Sequence, residues 1–175
     1  MQTYTVTDPE QTQALGQHLA ENCLQPGDLL ILSGELGAGK TTFTQGLARG
    51  LGVAEPIFSP TYIVARQLPG RIPLVHADAY RIRDLADLET LDLDATLAES
   101  VTVIEWGAGL TEELSDERLE VEIRRPVGGS ITAAEDGSID LSVLDDGTRE
   151  ILFTPIGGRW AGADLSGLAT ANTHR

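Results

Sequence analysis

The chain contains one cysteine, few aromatic residues (5%) and a single lysine, Lys40, and it has no long apolar run. Each scarcity removes a class of function. One cysteine, Cys23, cannot build an internal disulfide framework or a cysteine-based zinc site. No stretch reaches the ~18–20 apolar residues that a membrane-spanning helix needs, so no membrane association is expected. Residues Met1 to Val6 carry no basic segment leading into an apolar core; no secretion signal is expected, and a cytoplasmic protein is. Positive charge is also scarce. Twelve lysines and arginines stand against 27 acids, for a net charge of −15. Proteins that grip nucleic acid directly usually carry a basic patch or stripe. Here the only tight basic pair is Arg124-Arg125, so strong direct nucleic-acid binding is not expected.

The 175 residues suit one domain with a real core. Thr3 to Val6 alternates as a short strand. Asp8-Pro9-Glu10-Gln11 then opens a helix, with Asp8 as cap, Pro9 at the first helical position and Gln11 completing a capping box. Asp28 to Ser33 is a short apolar run suited to a buried, parallel strand. Thr42 to Leu51 reads as a helix. Tyr62 to Leu68 and Ile72 to Ala77 are strands split by the turn Pro69-Gly70-Arg71. Asp84 to Ala98 reads as an acidic helix, and Val101 to Ile104 as an apolar strand. Leu119 to Arg125 alternates as an antiparallel strand does. Ile139 to Val143 and Arg149 to Phe153 read as a hairpin around Asp145-Asp146-Gly147, and Pro126 to Gly137 as a loop. The expected fold is α/β: a P-loop NTPase core with a mostly parallel central sheet flanked by helices, plus antiparallel C-terminal strands. One domain is expected over residues 1–154. A Gly/Ala-rich, loosely ordered tail is expected over 155–175.

Between the second strand and its helix stands Gly34-Glu35-Leu36-Gly37-Ala38-Gly39-Lys40-Thr41, which matches G-x-x-x-x-G-K-[ST] at every fixed position. Such a loop wraps phosphate oxygens with inward-pointing N–H groups, which needs the conformations glycine takes cheaply. The following helix aims its positive end at the phosphates. Lys40 supplies a slim mobile charge at the β- and γ-phosphates, where arginine's planar fork would fit poorly. Thr41 offers a hydroxyl to Mg²⁺, and Thr42 supports the α-phosphate. The pattern arises by chance in a chain of this length on the order of once in a few hundred sequences. Its strand–loop–helix context makes it stronger than that. The expected ligands are ATP and Mg²⁺, with Glu35, Leu36, Gly37, Ala38, Gly39, Lys40, Thr41 and Thr42 around the nucleotide. GTP is disfavoured, since an Asn-Lys-x-Asp guanine motif is impossible when Lys40 is the sole lysine.

A phosphate-loop enzyme usually holds its metal with an acid at the end of a neighbouring strand. Glu105 and Asp78 both end apolar runs, and strand C-termini in an open α/β sheet face the ligand crevice. Either reaches the metal on this reading; the alternative for Asp78 is a helix or turn cap. His76, inside an apolar strand, reads as a packed histidine rather than a base.

Four segments in order, Gly34 to Thr42, Ser59-Pro60-Thr61-Tyr62, His76-Ala77-Asp78-Ala79-Tyr80-Arg81 and Ile104-Glu105-Trp106, resemble the TsaE family, small bacterial ATPases of tRNA threonylcarbamoyladenosine synthesis. The resemblance runs from about Thr7 to Ile123. It implies partners resembling TsaB and TsaD, which together modify adenosine 37 of tRNAs reading codons that start with A. It also implies that ATP hydrolysis resets the complex between turnovers. Carried onto this chain, Thr41 and Glu105 would bind Mg²⁺ and Asp78 would be needed for hydrolysis. Ser59 to Tyr62 would act as a switch loop with Thr61 near the γ-phosphate and metal. Trp106 would lie close to the nucleotide, Thr7-Asp8-Pro9 would lie against the adenine, and Arg149 weakly resembles a nucleotide-contacting arginine. No arginine finger is evident, so slow turnover without partners is expected. A small-molecule kinase or a non-catalytic, nucleotide-gated interaction module remain the alternative readings.

Overall fold

A computed structural model describes residues 1–59, 65–80, 82, 93–109, 111–126, 147–163, 165, 167 and 168. In chain order its elements are β1 (Gln2–Val6), α1 (Pro9–Asn22), β2 (Leu29–Ser33), α2 (Lys40–Gly50), β3 (Ala65–Leu68), β4 (Leu74–Asp78), α3 (Asp94–Leu97), β5 (Val101–Glu105), a 3₁₀ turn (Glu112–Leu114), β6 (Arg118–Arg124), β7 (Arg149–Ile156) and α4 (Gly158–Ala161). The strands form one sheet in the order β1-β7-β6-β2-β5-β4-β3. The central four, β6, β2, β5 and β4, are parallel neighbours. Antiparallel strands close both edges, β7 and β1 on one side and β3 on the other. The α/β class with a mostly parallel centre is therefore as expected.

β6 is a hybrid. It alternates because Leu119, Val121 and Ile123 enter the main core while Arg118, Glu120 and Glu122 are only half-covered. That pattern reads as antiparallel, and β7 does pair with it so. On its other side, however, β6 runs parallel to β2. At α1, Asp8 Oδ1 accepts from the Gln11 amide at 2.7 Å, but Gln11 Oε1 accepts from the amide of Thr7, not Asp8, at 3.0 Å. The capping box is closed one residue early. α2 begins at Lys40, two residues before the expected start, because Gly39 caps it in a left-handed conformation.

The larger core lies between the sheet and the helix pair α1–α2, and includes Leu30, Leu32, Phe43, Leu47, Val103 and Phe153. A smaller cluster around Ile31, Val75, Ala77 and Ile104 covers the other face. The two helices meet backbone to backbone. A Cβ on Gly46 would lie 2.0 Å from the Gln13 carbonyl oxygen, and one on Gly16 would lie 2.5 Å from that of Phe43. Close approach fixes α2 against the core and so fixes the loop that precedes it.

The tail does not behave as expected over its described part. Pro155 and Ile156 continue β7 opposite Leu119 and Arg118. Trp160, Leu165 and Leu168 are buried in the main core. Arg159 Nη2 donates to the Cys23 carbonyl at 2.7 Å and to Asp28 Oδ2 at 2.8 Å. Burial of one indole and two leucines offsets the chain entropy that a Gly/Ala-rich segment otherwise keeps. Residues 169–175, the expected strand Ile139–Val143, most of the expected helix Asp84–Ala98 and loop residues 127–137 lie outside the described residues.

Candidate nucleotide and metal site

β2 ends at Ser33 and the chain turns through Gly34 to Gly39 into α2. Gly34 has φ 142°, and a Cβ there would lie 2.3 Å from the Ile123 carbonyl oxygen. Only glycine lets the loop leave the sheet beside β6. At the other end no side chain caps α2, which leaves its first N–H groups directed outward, where an anion is stabilised.

Lys40 folds back over this loop. It is 5% exposed, and its Nζ donates to the carbonyls of Gly34 at 2.8 Å and Glu35 at 3.0 Å. The same Nζ lies 3.7 Å from the centroid of the Trp106 ring, a cation–π contact. Burial lowers the lysine pKa, and the charges of Glu105 and Asp78 counter that shift. The ammonium is thus held by two neutral carbonyl acceptors, which bind a cation less strongly than anionic oxygens do.

Parallel register sets Asp78 of β4 directly opposite Glu105 of β5. Both are buried. Thr41 Oγ1 donates to Glu105 Oε1 at 3.0 Å and lies 3.3 Å from Oε2. His76 Nε2 lies 2.9 Å from Glu105 Oε1. Asp78 Oδ1 accepts from the Tyr80 amide at 2.8 Å, so the turn-capping role is real, and its side chain lines the site as well. Just beyond β5, Trp106 adopts φ 62°, the one non-glycine positive φ among the described residues. A bulky residue there is strained. The turn swings the indole back over Lys40, and Tyr80 packs edge-on against it at 5.3 Å.

These groups surround a cavity of about 510 Å³, lined by Leu36, Gly37 and Gly39 to Thr42 together with Ser59, Asp78, Tyr80, Glu105 and Trp106. A smaller cavity of about 130 Å³ touches Gly37 to Gly39 and Thr42 and brings in Pro9 and Arg149. Arg149 Nε donates to the Ala38 carbonyl at 3.1 Å. The loop, Asp78, Glu105, Trp106, Pro9 and Arg149 are therefore all drawn to one place. Glu35 contributes its carbonyl, with its side chain turned to solvent. Thr61 lies outside the described residues, and of the expected switch segment only Ser59 is described.

Two neighbours of the site were not legible as such. Arg125, just past the end of β6, brings its guanidinium to the loop: a Cβ on Gly37 would lie 3.3 Å from Arg125 Nη2. The sequence marks Arg125 only as half of a basic pair, and its position follows from β6 lying beside β2. His76 is packed as expected, but against Glu105. The donors of Thr41, Asp78 and Glu105 are all hard oxygens. They fit Mg²⁺, which takes one or two carboxylates and completes its shell with phosphate oxygens and water. The chemistry available is anion capture by a loop and a cation, beside a carboxylate pair able to hold a hard metal.

A family model described as "Threonylcarbamoyl adenosine biosynthesis protein TsaE" matches residues 6–129. The chain belongs to the TsaE family. A TsaE protein of Streptomyces coelicolor is 47% identical over 159 residues, spanning 89% of this chain and 97% of the relative. A Bacillus subtilis TsaE is 36% identical over 159 residues, spanning 90% and 87%. Both carry the name tRNA threonylcarbamoyladenosine biosynthesis protein TsaE. The crystal structure of Bacillus subtilis YdiB matches the fold with a TM-score of 0.70 at 32% identity, covering 97% of this chain and 94% of that one. TsaE membership agrees with the resemblance carried by the four sequence segments.

Proposed function

We propose that this TsaE-family chain is the Mg²⁺-dependent ATP-binding and ATP-hydrolysing component of the cytoplasmic machinery that makes N6-threonylcarbamoyladenosine at position 37 of tRNA, working with TsaB- and TsaD-like partners. The observation that carries the nucleotide reading is the buried Lys40 ammonium folded over the Gly34–Gly39 loop, next to the Thr41–Glu105 pair. Family membership supports the pathway.

In this reading Lys40 exchanges the carbonyls of Gly34 and Glu35 for phosphate oxygens. The amides of the loop and of the α2 N-terminus take the remaining phosphate charge. Thr41 and Glu105, now hydrogen-bonded to each other, would hold Mg²⁺, whose chemistry would be to neutralise charge on the phosphoryl group. Asp78, which lines the same cavity, would orient the attacking water or a water on the metal. Arg149 and Pro9 border the nucleotide on the far side of the loop. The strong negative charge of the chain fits a component that acts on tRNA through partners rather than by gripping it.

Calorimetric titration with ATP and GTP, with Mg²⁺ and with EDTA, tests the first half. ATP is expected to bind and to bind more tightly with Mg²⁺, and Glu105→Ala is expected to lose that enhancement and hydrolysis together. Equal binding of ATP by wild type and Glu105→Ala at all Mg²⁺ concentrations would remove Glu105 from the metal site. Recovery of a TsaD-like protein on the tagged chain in the presence of ATP tests the second half.

A further inference from the structure

We propose that His76 is a positioning residue for the metal site: from inside the sheet core, its Nε2–H holds the Glu105 carboxylate in the orientation from which it meets Mg²⁺. The inference rests on the Mg²⁺–ATP reading and extends it to a residue that does not touch the ligand. In the β4–β5 register His76 stands opposite Val103, and Asp78 opposite Glu105. Alternation along each strand puts all four side chains on one face. That face is the α1–α2 side, where Leu74, Val101 and Val103 belong to the main core.

His76 is 1% exposed there and lines neither cavity described above. A polar ring in such surroundings is costly unless it is bonded. Its bond goes to Glu105 Oε1 at 2.9 Å. A carboxylate only accepts, so Nε2 carries the hydrogen. Glu105 is a long side chain with several rotatable bonds, and its buried carboxylate also faces Thr41 Oγ1 at 3.0 and 3.3 Å. Two carboxylate oxygens offer about four lone-pair sites. The His76 bond can therefore persist while the Thr41 hydroxyl turns from Glu105 to the cation. A carboxylate fixed by an outer partner is already aimed, and removal of such partners typically weakens metal affinity roughly 10- to 100-fold.

The test compares wild type with His76→Gln, whose amide nitrogen takes the place of Nε2 and donates, and with His76→Leu, which fills similar space without a donor. Binding of a non-hydrolysable ATP analogue is measured by calorimetry in EDTA and across a Mg²⁺ series. Analogue affinity in EDTA is expected to be unchanged in all three. The Mg²⁺ concentration that half-saturates the enhancement is expected to rise roughly 10- to 100-fold in His76→Leu and to return towards wild type in His76→Gln. Thermal unfolding is followed in the same buffers. If His76→Leu does not fold, His76→Asn replaces it, because its shorter amide falls short of Oε1. A wild-type Mg²⁺ midpoint in the non-donating variant, or equal shifts in that variant and in His76→Gln, overturns the positioning role and leaves the nucleotide reading intact. A wild-type protein that binds the analogue without Mg²⁺ dependence, or not at all, overturns the Mg²⁺–ATP reading and this inference with it.

Discussion

Lys40→Met isolates the ammonium that the site is built around. The substitution keeps an unbranched stem of similar length under Trp106 and removes the charge. In the free protein the lost interactions are two hydrogen bonds to the Gly34 and Glu35 carbonyls and the contact with the indole. Against these stands the relief of desolvation, the main cause of the lowered lysine pKa. The two effects oppose, so folding stability is expected to change by no more than about 1 kcal/mol. With ATP bound as proposed the balance differs, because the partners of the ammonium would be anionic phosphate oxygens. A hydrogen bond involving a charged group contributes about 1.5–3 kcal/mol, and two of them about 3–6. Part of that only replaces the carbonyl bonds already present, which favours the lower end. ATP is therefore expected to bind about 100-fold more weakly or worse. Calorimetry reads the affinity and thermal unfolding reads the fold. ATP affinity equal to wild type refutes the phosphate role. A large fall in Tm that accounts for the lost binding would make Lys40 a structural residue instead.

Gly46→Ala puts a methyl 2.0 Å from the Gln13 carbonyl oxygen. It should destabilise the chain by about 2 kcal/mol or more, lowering Tm by roughly 4–8 °C; an unchanged Tm would show that α1 and α2 can separate freely. Trp106 faces the loop while Trp160 is buried in the core, so intrinsic fluorescence should respond to ATP in wild type and not in Trp106→Phe, and a persisting response would remove Trp106 from the site. Burial raises the Asp28 pKa above its ordinary 3.8, outweighing the Gln25 amide bond and the Arg159 ion pair. A raised folded-state pKa stabilises the fold below the unfolded value, and that contribution is lost as pH rises through the folded value. The stability of wild type relative to Asp28→Asn should accordingly fall as pH climbs from 3.8, and a difference flat with pH through that range would contradict the raised value.

The parts of the site that are contiguous in sequence could be read directly. Gly34 to Thr41 is one local structure whose glycines, lysine and hydroxyl act within eight residues of one another. Asp78 and Glu105 were legible as strand-end acids because the runs before them are apolar. Their direct opposition was not, since it depends on the register of β4 against β5. The His76–Glu105 bond joins residues 29 apart, and nothing local to either signals it. Arg125 escaped for a related reason: its place at the loop follows from β6 pairing with β2, while the alternation of β6 reports only which face is covered. Over the described part of the tail, Gly and Ala content hides Trp160, Leu165 and Leu168, three buried apolar anchors spaced widely enough to leave no periodic run. Pro9 and Arg149 converge on Ala38 and Gly39 from opposite ends of the chain because β1 pairs with β7.

On the proposed function, this loop and carboxylate pair hydrolyse ATP within a multi-protein assembly. Steady-state release of orthophosphate from Mg²⁺–ATP, measured for the chain alone and after addition of the TsaB- and TsaD-like proteins of the same organism, tests it most directly. Slow release alone, a clear rise with the partners, and loss of both in Glu105→Ala are expected. Tight ATP binding without orthophosphate release under any of these conditions, or transfer of the phosphoryl group to a small-molecule acceptor in place of water, would contradict it.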